Sequence, residues 1–368
     1  MPWPGSAELL APLAPWFNAV RRELPWRAQD LDSLHPDPYA VLVSELMLQQ
    51  TQVATVIPYF HRWMARYPNA QTLALATQDD IHKLWEGLGY YRRARLLQGA
   101  AQIISQGGWP TDLSGLLELP GLGPYTAAAV ASIAFQHPEP ALDGNAFRVL
   151  ARVLGIEGDP KQEAIRLREW LKPALVRHGP ARMTQALMEL GALVCGPLPK
   201  CADCPLRGAC FAHRWDATDR IPLRVARPKS PTIDLWLVAI KAEGHWLLCP
   251  PAQSGLLAGL WSWPTVTQVP EIDLAAGGTL PFGLRNWRAW PGWTQVYTHR
   301  RERVLPVALE LETQFRHPHL TWVEEKSLNG LPLGKRDQRL RELIGTIPPI
   351  NNEAPPLAGL LASLGLGG

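Results

Sequence analysis

The sequence predicts two regions of different fold class, an all-α region over residues 1–212 and an α+β region over residues 232–346. In the first region, apolar residues recur at helical spacing between Gly, Pro, Asn and Asp residues. Residues 213–231 are rich in Arg and Pro with little periodicity, which indicates an interdomain linker. Beyond them the apolar residues alternate, which is typical of strands. Residues 347–368, rich in Pro, Gly and Asn, are predicted to form a loose tail.

The pattern of the first region predicts a series of helices. Residues 38–59 form one predicted helix, with Asp37 as its N-cap and Pro38 at the first helical position, where no amide donor is needed. In the predicted helix Ala146–Gly155, the apolar residues Phe147, Leu150 and Leu154 share one face. The remaining predicted helices cover Thr77–Glu86, Tyr91–Ile104, Tyr125–Phe135 and Gln162–His178.

Two patterns predict strands in the second region. The apolar runs Asp234–Lys241 and Trp246–Cys249 flank a turn at Ala242-Glu243-Gly244, which indicates a hairpin. Residues 304–311 alternate in a way that predicts a half-buried strand with its apolar set facing a core. Pro306 lacks an amide donor and therefore places that strand at an edge or a bulge. The predicted core-facing set is Leu305, Val307, Leu309 and Leu311.

Composition narrows the class of protein. The chain has 368 residues, 46% hydrophobic and 19% charged, so a packed core is possible and global disorder is excluded. The net charge of +3 neither establishes nor excludes a nucleic-acid partner. The first residues lack the features of a signal peptide, and no apolar run approaches the ~20 residues needed to cross a bilayer. We therefore expect a soluble, intracellular protein with no membrane partner.

Four of the five cysteines fall within sixteen residues. Their spacing is C-x5-C-x2-C-x5-C, beside a single Cys249 elsewhere, which argues against a disulfide framework and for a metal in a reducing compartment. Soft sulfur ligands select zinc or an iron–sulfur cluster, and spacing alone does not decide between them. Lys200 and Arg207 lie inside the loop, where they could present cations to a phosphate backbone. The predicted ligands are Cys195, Cys201, Cys204 and Cys210.

A glycine-containing turn over residues 119–127 joins two predicted helices. Gly121 and Gly123 let the backbone turn tightly and expose its amides, and the next helix begins with its positive end outward. An ordinary helix–helix turn is the alternative interpretation. The flanking Leu-Pro and Tyr-Thr-Ala sequences favour a helix-hairpin-helix element that grips phosphate independently of base sequence.

Two acids stand in unusual surroundings. Glu45 lies in a stretch where six of eight residues are apolar. Taken alone, a Glu in such a helix more often lies on the solvent face. If it is buried without a cationic partner, its pKa rises and suits it to general acid catalysis. Asp143 precedes a predicted helix, where it or Asn145 could simply be the cap. Cleavage of an N-glycosidic bond needs a proton on the leaving base and negative charge beside the cationic sugar. One neutral and one ionised acid would supply both.

Six motifs occur in one fixed order along the chain: Leu24–Arg27, Ser44–Val53, Gly87–Tyr91, Leu119–Ala127, Leu142–Asn145 and the cysteine loop. Together they resemble the motifs of the adenine DNA glycosylase (MutY) family, within the helix-hairpin-helix superfamily that includes endonuclease III. The resemblance spans roughly residues 10–345. It implies removal of adenine mispaired with 8-oxoguanine or guanine in double-stranded DNA, by a monomer with a [4Fe–4S] cluster on the cysteine loop.

The resemblance also implies roles for single residues. Glu45 would protonate the flipped adenine at N7, and Asp143 would stabilise the cationic sugar or form a transient adduct. The residues implied to hold these carboxylates are Tyr125 and Asn145. Those implied to line the adenine pocket are Trp26, Arg27, Leu48 and Glu189, and those implied to wedge into the duplex are Gln49 and Tyr90.

Position 125 separates close relatives. In relatives such as endonuclease III, the matching residue is a Lys that attacks the sugar. Tyr125 cannot form a Schiff base, so the resemblance implies a monofunctional glycosylase.

The second region resembles the family's Nudix-like C-terminal domain, beginning at Ser254–Pro264. No Arg-Glu-x-x-Glu-Glu helix follows, so we exclude a nucleotide pyrophosphatase. Thr298 and His299 match the loop that senses the lesion, although residues 300–303 are more charged than expected there.

Three alternatives remain. A glycosylase for oxidised pyrimidines is disfavoured by Tyr125 and by the C-terminal region. A catalytically silent iron–sulfur DNA-binding protein would not need the two acids. Zinc stays an alternative cofactor, because five residues separate the first two cysteines where the family usually has six.

Overall fold

The computed structural model describes residues 3–27, 37–223, 230–253, 255, 257–268, 283–297, 300–346 and 355–364. The described helices are α1 Ser6–Leu9, α2 Leu13–Val20, α3 Pro38–Leu48, α4 Val53–Arg66, α5 Ala70–Ala74, α6 Gln78–Trp85, α7 Arg92–Gly107, α8 Leu113–Leu117, α9 Pro124–Phe135, α10 Gly144–Leu154, α11 Ala164–His178, α12 Pro180–Leu193, α13 Phe211–Arg214, α14 Lys335–Ile344 and α15 Leu357–Ser363. The strands are β1 Thr232–Ala242, β2 His245–Leu248, β3 Thr265–Val266, β4 Leu284–Ala289, β5 Trp293–Val296, β6 Arg301–Leu311 and β7 Thr321–Glu324.

The chain forms two compact units. The first comprises residues 1–76 and 93–226, and the second comprises residues 77–92 and 227–368. The division at 226 falls inside the predicted linker, but residues 77–92, which the periodicity grouped with the helical region, belong to the second unit. Within that unit, Lys83 Nζ donates to the carbonyl of Asn329 at 2.8 Å, a long-range contact that local periodicity does not report.

The first unit is helical, and α9 lies at its centre. Residues 126–134 of α9 are all buried, and the helix packs against α3 and α12. Small Ala side chains at 127–129 let neighbouring helices approach closely. The predicted helices over 77–86, 91–104, 125–135, 146–155 and 162–178 are confirmed within a few residues.

The single helix predicted over residues 38–59 is wrong. The structure ends α3 at Leu48 and begins α4 at Val53, with Gln50 in the left-handed region at φ 57°. Arg93, from α7, donates to the carbonyls that close α3: Leu46 at 2.8 Å, Met47 at 2.9 Å and Gln49 at 2.6 Å. A buried guanidinium from elsewhere in the chain therefore satisfies the helix end, which no local pattern could indicate.

The second unit contains a sheet with the strand order β4-β6-β1-β2-β7, in which β3 also pairs with β1 and β5 with β6. The predicted hairpin is confirmed, since β1 and β2 pair antiparallel with Ala242 opposite His245. In contrast, β1 and β6 run parallel in the middle of the sheet.

The prediction for residues 304–311 is partly wrong, because β6 is an interior strand buried on both faces. Val304 and Ala308 pack on the face covered by α14, whereas Val307, Leu309 and Leu311 pack on the face covered by α15. Pro306 is tolerated because Trp290, in the break between β4 and β5, donates to its carbonyl at 3.3 Å. The N–H and C=O of a strand residue point to the same side, so its missing amide faces that break.

The predicted loose tail is corrected over residues 357–363, which form α15. Leu360 and Leu361 are fully buried against the sheet. The remaining tail residues, 347–354 and 365–368, and residues 224–229 of the predicted linker lie outside the described residues.

A charged cluster is buried between β6 and α14. Arg336 Nη1 lies 3.3 Å from Glu302 Oε2, and Arg336 Nη2 lies 3.1 Å from Asp337 Oδ2. Trp263 donates from its backbone amide to Asp337 Oδ1 at 2.8 Å. All three charged side chains are at most 5% exposed, and the partly exposed Arg300 adds a second cation, with its Nη2 2.5 Å from Glu302 Oε1.

Candidate active site

The first unit encloses a cavity of about 590 Å³. It is lined by α3, α9 and α12, by the start of α10 and by residues 22–27. Of the residues singled out in the sequence, the cavity brings together Trp26, Arg27, Glu45, Leu48, Gln49, Tyr125, Asp143, Asn145 and Glu189.

Glu45 is one of two buried glutamates that line this cavity. The apolar sequence of α3 buries the helix from Val41 to Met47, and Glu45 is 7% exposed. Burial raises the pKa of Glu45 to about 7; a hydrogen bond with Tyr125 and the charge of Arg27 oppose the rise, and the charge of Asp143 adds to it. A carboxyl group in this environment can hold a proton near neutral pH and release it to a bound ligand.

Asp143 lies at the N-terminus of α10 and caps it. Its Oδ1 accepts from the amide of Ala146 at 2.6 Å, so the structural interpretation of this residue is confirmed. Its Oδ2 accepts from Asn145 Nδ2 at 3.0 Å and the side chain also lines the cavity. Two donors and the positive end of a helix stabilise negative charge on this group.

Asn145 is itself held from two sides. Arg148 Nη2 donates to Asn145 Oδ1 at 2.8 Å, while Arg148 Nε donates to the carbonyl of Cys195 at 2.8 Å. A Cβ on Gly191 of α12 would lie 2.7 Å from the Cβ of Asn145. The absence of a side chain at Gly191 therefore lets α10 approach α12 closely enough to fix this corner of the cavity.

Tyr125, in the first turn of α9, lies beside both acids. Burial, followed by the charges of Glu45 and Asp143 and a hydrogen bond to Glu45, raises the pKa of Tyr125 well above its usual value. The phenol thus remains a proton donor and orients the Glu45 carboxyl.

Glu189 has the opposite environment to Glu45. It accepts from Arg22 Nε at 2.8 Å, from Arg22 Nη2 at 2.8 Å and from Arg27 Nη2 at 2.8 Å. Burial alone would raise the pKa of Glu189, but the hydrogen bonds from Arg22 and Arg27 outweigh it and hold the pKa at about 2. Sequence analysis missed Arg22, because Arg21-Arg22-Glu23 resembles an ordinary solvated charge run.

Not every predicted residue joins the cavity. Tyr90 belongs to the second unit, is 47% exposed and does not line it. Thr298 and His299 lie outside the described residues, as do Ser254 and Leu256 of the C-terminal motif.

The glycine turn between α8 and α9 also lies apart from the cavity lining. Gly121 has φ 86°, and a Cβ there would lie 2.8 Å from Leu96 Cβ, so both conformation and space require glycine. Gly123 precedes α9 with an ordinary φ of −77°.

The four clustered cysteines line a second cavity, of about 20 Å³, together with Arg152. All four thiols are free of disulfides. Burial, together with the charges of the other three clustered cysteines, raises the pKa of Cys204 to about 11, so the four thiols lie within electrostatic reach of one another. Among the described residues, no three Cys, His, Asp or Glu side chains form a ready site for a single metal ion.

No helix within the described parts of the chain is long and apolar enough to span a bilayer.

Comparisons with known proteins agree with this architecture. Residues 43–173 match the HhH-GPD superfamily of base excision DNA repair proteins. Among solved structures, a thermostable thymine-DNA glycosylase superimposes with a TM-score of 0.50 at 28% identity, covering 56% of this chain and 96% of that one. The first unit therefore has the helical fold of this superfamily, and the second adds an α+β domain.

Curated relatives extend the similarity along most of the chain. The adenine DNA glycosylase of Rattus norvegicus is 37% identical over 70% of this chain, and that of Homo sapiens is 37% identical over 75%. This chain spans about 60% of the length of both. The adenine DNA glycosylase of Buchnera aphidicola subsp. Schizaphis graminum is 30% identical over 89% of this chain and 96% of its own length. The chain belongs to the adenine DNA glycosylase family.

Proposed function

We propose that this chain is a monofunctional DNA glycosylase that hydrolyses the N-glycosidic bond of adenine mispaired with 8-oxoguanine or guanine in double-stranded DNA. The observation that carries the proposal is the pairing of Glu45, whose pKa is raised to about 7, with Asp143, held by two donors, on one cavity. The named activity of the curated relatives supports adenine as the base.

In this mechanism the adenine is extruded from the duplex into the cavity. Glu45, oriented by Tyr125, donates its proton to N7 of the base. The bond from N9 to the sugar breaks, and its electron pair leaves with adenine. Asp143 stabilises the cationic sugar until water adds to C1′ and loses a proton, which leaves an abasic site. Tyr125 offers no amine for a Schiff base, so the strand stays intact.

The remaining pocket residues would select the base. Glu189, held ionised by Arg22 and Arg27, can accept from the exocyclic amine of adenine, and it would repel the O6 of guanine. Trp26 and Leu48 would pack around the ring, and Gln49, at the rim of the pocket, would wedge into the duplex. Tyr90 would act as a wedge in the duplex, and Gly121 and Gly123 would hold the backbone phosphate.

Recognition of the opposite strand is assigned to the second unit. Thr298 and His299 would sense 8-oxoguanine, by resemblance to the family. His299→Ala is expected to weaken the preference for 8-oxoguanine·A over G·A, and unchanged discrimination would refute the assignment.

We assign a [4Fe–4S] cluster to the loop of Cys195, Cys201, Cys204 and Cys210, with zinc as the less favoured alternative. Four free thiols around one cavity are a suitable donor set for it. When bound, the cluster would cross-link the loop and so hold the region around α10. No step of base removal passes through it. We further propose a monomer that acts where the cell keeps its DNA, in the cytoplasm or the nucleoid of a bacterium.

The test uses duplexes carrying 8-oxoguanine·A, G·A or thymine glycol·A, with wild type, Glu45→Gln and the surface control Glu163→Gln. We expect adenine release from the first two duplexes, lost in Glu45→Gln and kept in Glu163→Gln. Strand cleavage without heat or alkali, or processing of thymine glycol, would instead favour an endonuclease III-like glycosylase for oxidised pyrimidines. DNA binding without base release by wild type would favour a catalytically silent protein.

A further inference from the structure

Arg152 is a buried cation at the end of α10, next to the cysteine loop. Its side chain is 2% exposed, and Arg152 lies in the last turn of the helix that Asp143 begins. Its guanidinium donates to the carbonyls of Gly196 at 2.6 Å, Thr218 at 2.8 Å, Ile221 at 3.0 Å and Pro197 at 3.3 Å, and to Cys195 Sγ at 3.5 Å.

Like the buried Arg93, Arg152 donates mainly to backbone carbonyls, and it differs in this from Arg27 and Arg336, which face carboxylates. Arg27 pairs with Glu189 and Arg336 pairs with Asp337, whereas no Asp or Glu in the described parts of the chain forms an ion pair with Arg152. Carbonyl groups satisfy its N–H donors but do not neutralise its charge. A buried ion with only neutral partners is costly, since its attraction to a counter-charge does not offset the lost hydration.

The sulfur atoms beside it can supply that counter-charge. Arg152 and all four clustered cysteines line the same small cavity. Four thiolates around a [4Fe–4S] core carry net negative charge, and hydrogen bonds and charges near the sulfurs tune both retention and reduction potential of such clusters.

We propose that Arg152 is the buried counter-charge of the cluster, which stabilises the cluster in its cavity and raises its reduction potential. The inference rests on the proposed iron–sulfur cofactor. It gives Arg152 a role beyond that of a hydrogen-bonding strut between the cysteine loop and residues 218–221. A strut needs the donors of the guanidinium, whereas a counter-charge needs the positive charge.

The experiment compares holoproteins purified anaerobically in the absence of DNA. Arg152→Met removes the charge, and Arg152→Lys keeps the charge but loses the planar fork. Arg207→Met is the matched control, because Arg207 lines the same cavity but is exposed to water. Iron per protein, the rate of cluster loss to a chelator and the cluster potential by protein-film voltammetry are measured for each.

We expect Arg152→Met to lose the cluster about 10-fold to 100-fold faster than wild type, the range typical of groups that support metal ligands. Its potential should shift to lower values, because removal of a cation disfavours the more negative reduced state. Arg152→Lys and Arg207→Met should stay close to wild type in both measurements.

Two results would overturn the proposal directly. Equal cluster loss in the Met and Lys variants, or an unmoved potential in Arg152→Met, would leave Arg152 as a strut alone. If Arg152→Met retains too little cluster for voltammetry, retention in Arg152→Lys decides: iron near the wild-type level supports the counter-charge, and loss overturns it. Wild type that carries zinc or no metal would overturn the cofactor assignment itself, which is a distinguishable result.

Discussion

The cavity of the first unit and the charged cluster of the second unit bury acidic groups in opposite ways. In the cluster, Glu302 and Asp337 pair with Arg336, and all three are closed off from water. In the cavity, Glu45 has no direct ion pair among the described residues, and its pKa is raised to about 7. In the cluster, the charged groups pair with one another. In the cavity, Glu45 is left able to exchange a proton with a ligand.

The same contrast recurs inside the cavity. Glu189 is held by Arg22 and Arg27 with its pKa near 2, while Glu45 rests among apolar side chains of α3. Two glutamates on one cavity therefore differ by about five pKa units. Acid catalysis needs one carboxyl group that keeps its proton near neutral pH, beside a second that stays ionised and can bind the ligand. The two environments separate the pKa values of Glu45 and Glu189 in this way.

Removal of the cation from the charged cluster should have the largest effect on stability. Arg336→Met removes the ion-pair partner of the buried Asp337 and leaves Glu302 with Arg300 alone, so we expect a loss of about 3 to 5 kcal/mol in the free energy of unfolding. Urea titration followed by tryptophan fluorescence measures it. An unchanged midpoint would show that the cluster is not held by its ion pairs.

In the cavity, Glu45→Gln should increase the free energy of unfolding, whereas Arg336→Met should decrease it. An unfolded glutamate titrates near 4.5 and Glu45 near 7, so the folded chain retains a proton that the unfolded chain has released. This costs stability as the pH rises from about 4.5 to 7. Glu45→Gln should therefore exceed wild type by about 3 kcal/mol at pH 8 and by little at pH 4.

Glu189→Gln is the control for this experiment, with the reverse sign. The depressed pKa of Glu189 contributes stability above pH 4.5 that is lost as the pH falls toward 2. The variant should be less stable than wild type at pH 8, with a deficit that shrinks in acid. The same sign in both variants would contradict the contrast between the two glutamates.

The smallest effect is expected from an exposed ion pair of the second unit. Lys241 Nζ donates to Glu325 Oε1 and Oε2, both at 2.9 Å, but the Glu325 side chain is 52% exposed. Lys241→Met should lower the free energy of unfolding by at most about 1 kcal/mol, and less at high salt. If Lys241→Met lowered the free energy of unfolding as much as Arg336→Met, burial would not explain why one ion pair matters more than the other.

Local signals predicted the elements far better than their assembly. Asp37 and Pro38 marked the start of α3, but its end depends on Arg93, from another helix. Pro306 indicated an edge strand, yet β6 is interior, because a break between two partner strands accommodates the proline. Local signals also could not indicate the pairing of Arg22 with Glu189, because 167 positions of sequence separate the two residues.

By itself, the sequence determined five of the helices and the β1–β2 hairpin, the apolar surroundings of Glu45, the cap at Asp143 and the clustering of four cysteines, because these features depend on neighbouring residues. Only the tertiary structure decided that Glu45, Tyr125 and Asp143 share a cavity, and that Glu189 is paired with two arginines. It also decided that Arg152 is buried against the cysteines with no carboxylate of the described residues beside it. These features depend on burial and on charges brought close by packing, and a low-dielectric interior makes their interactions strong only once the chain has folded.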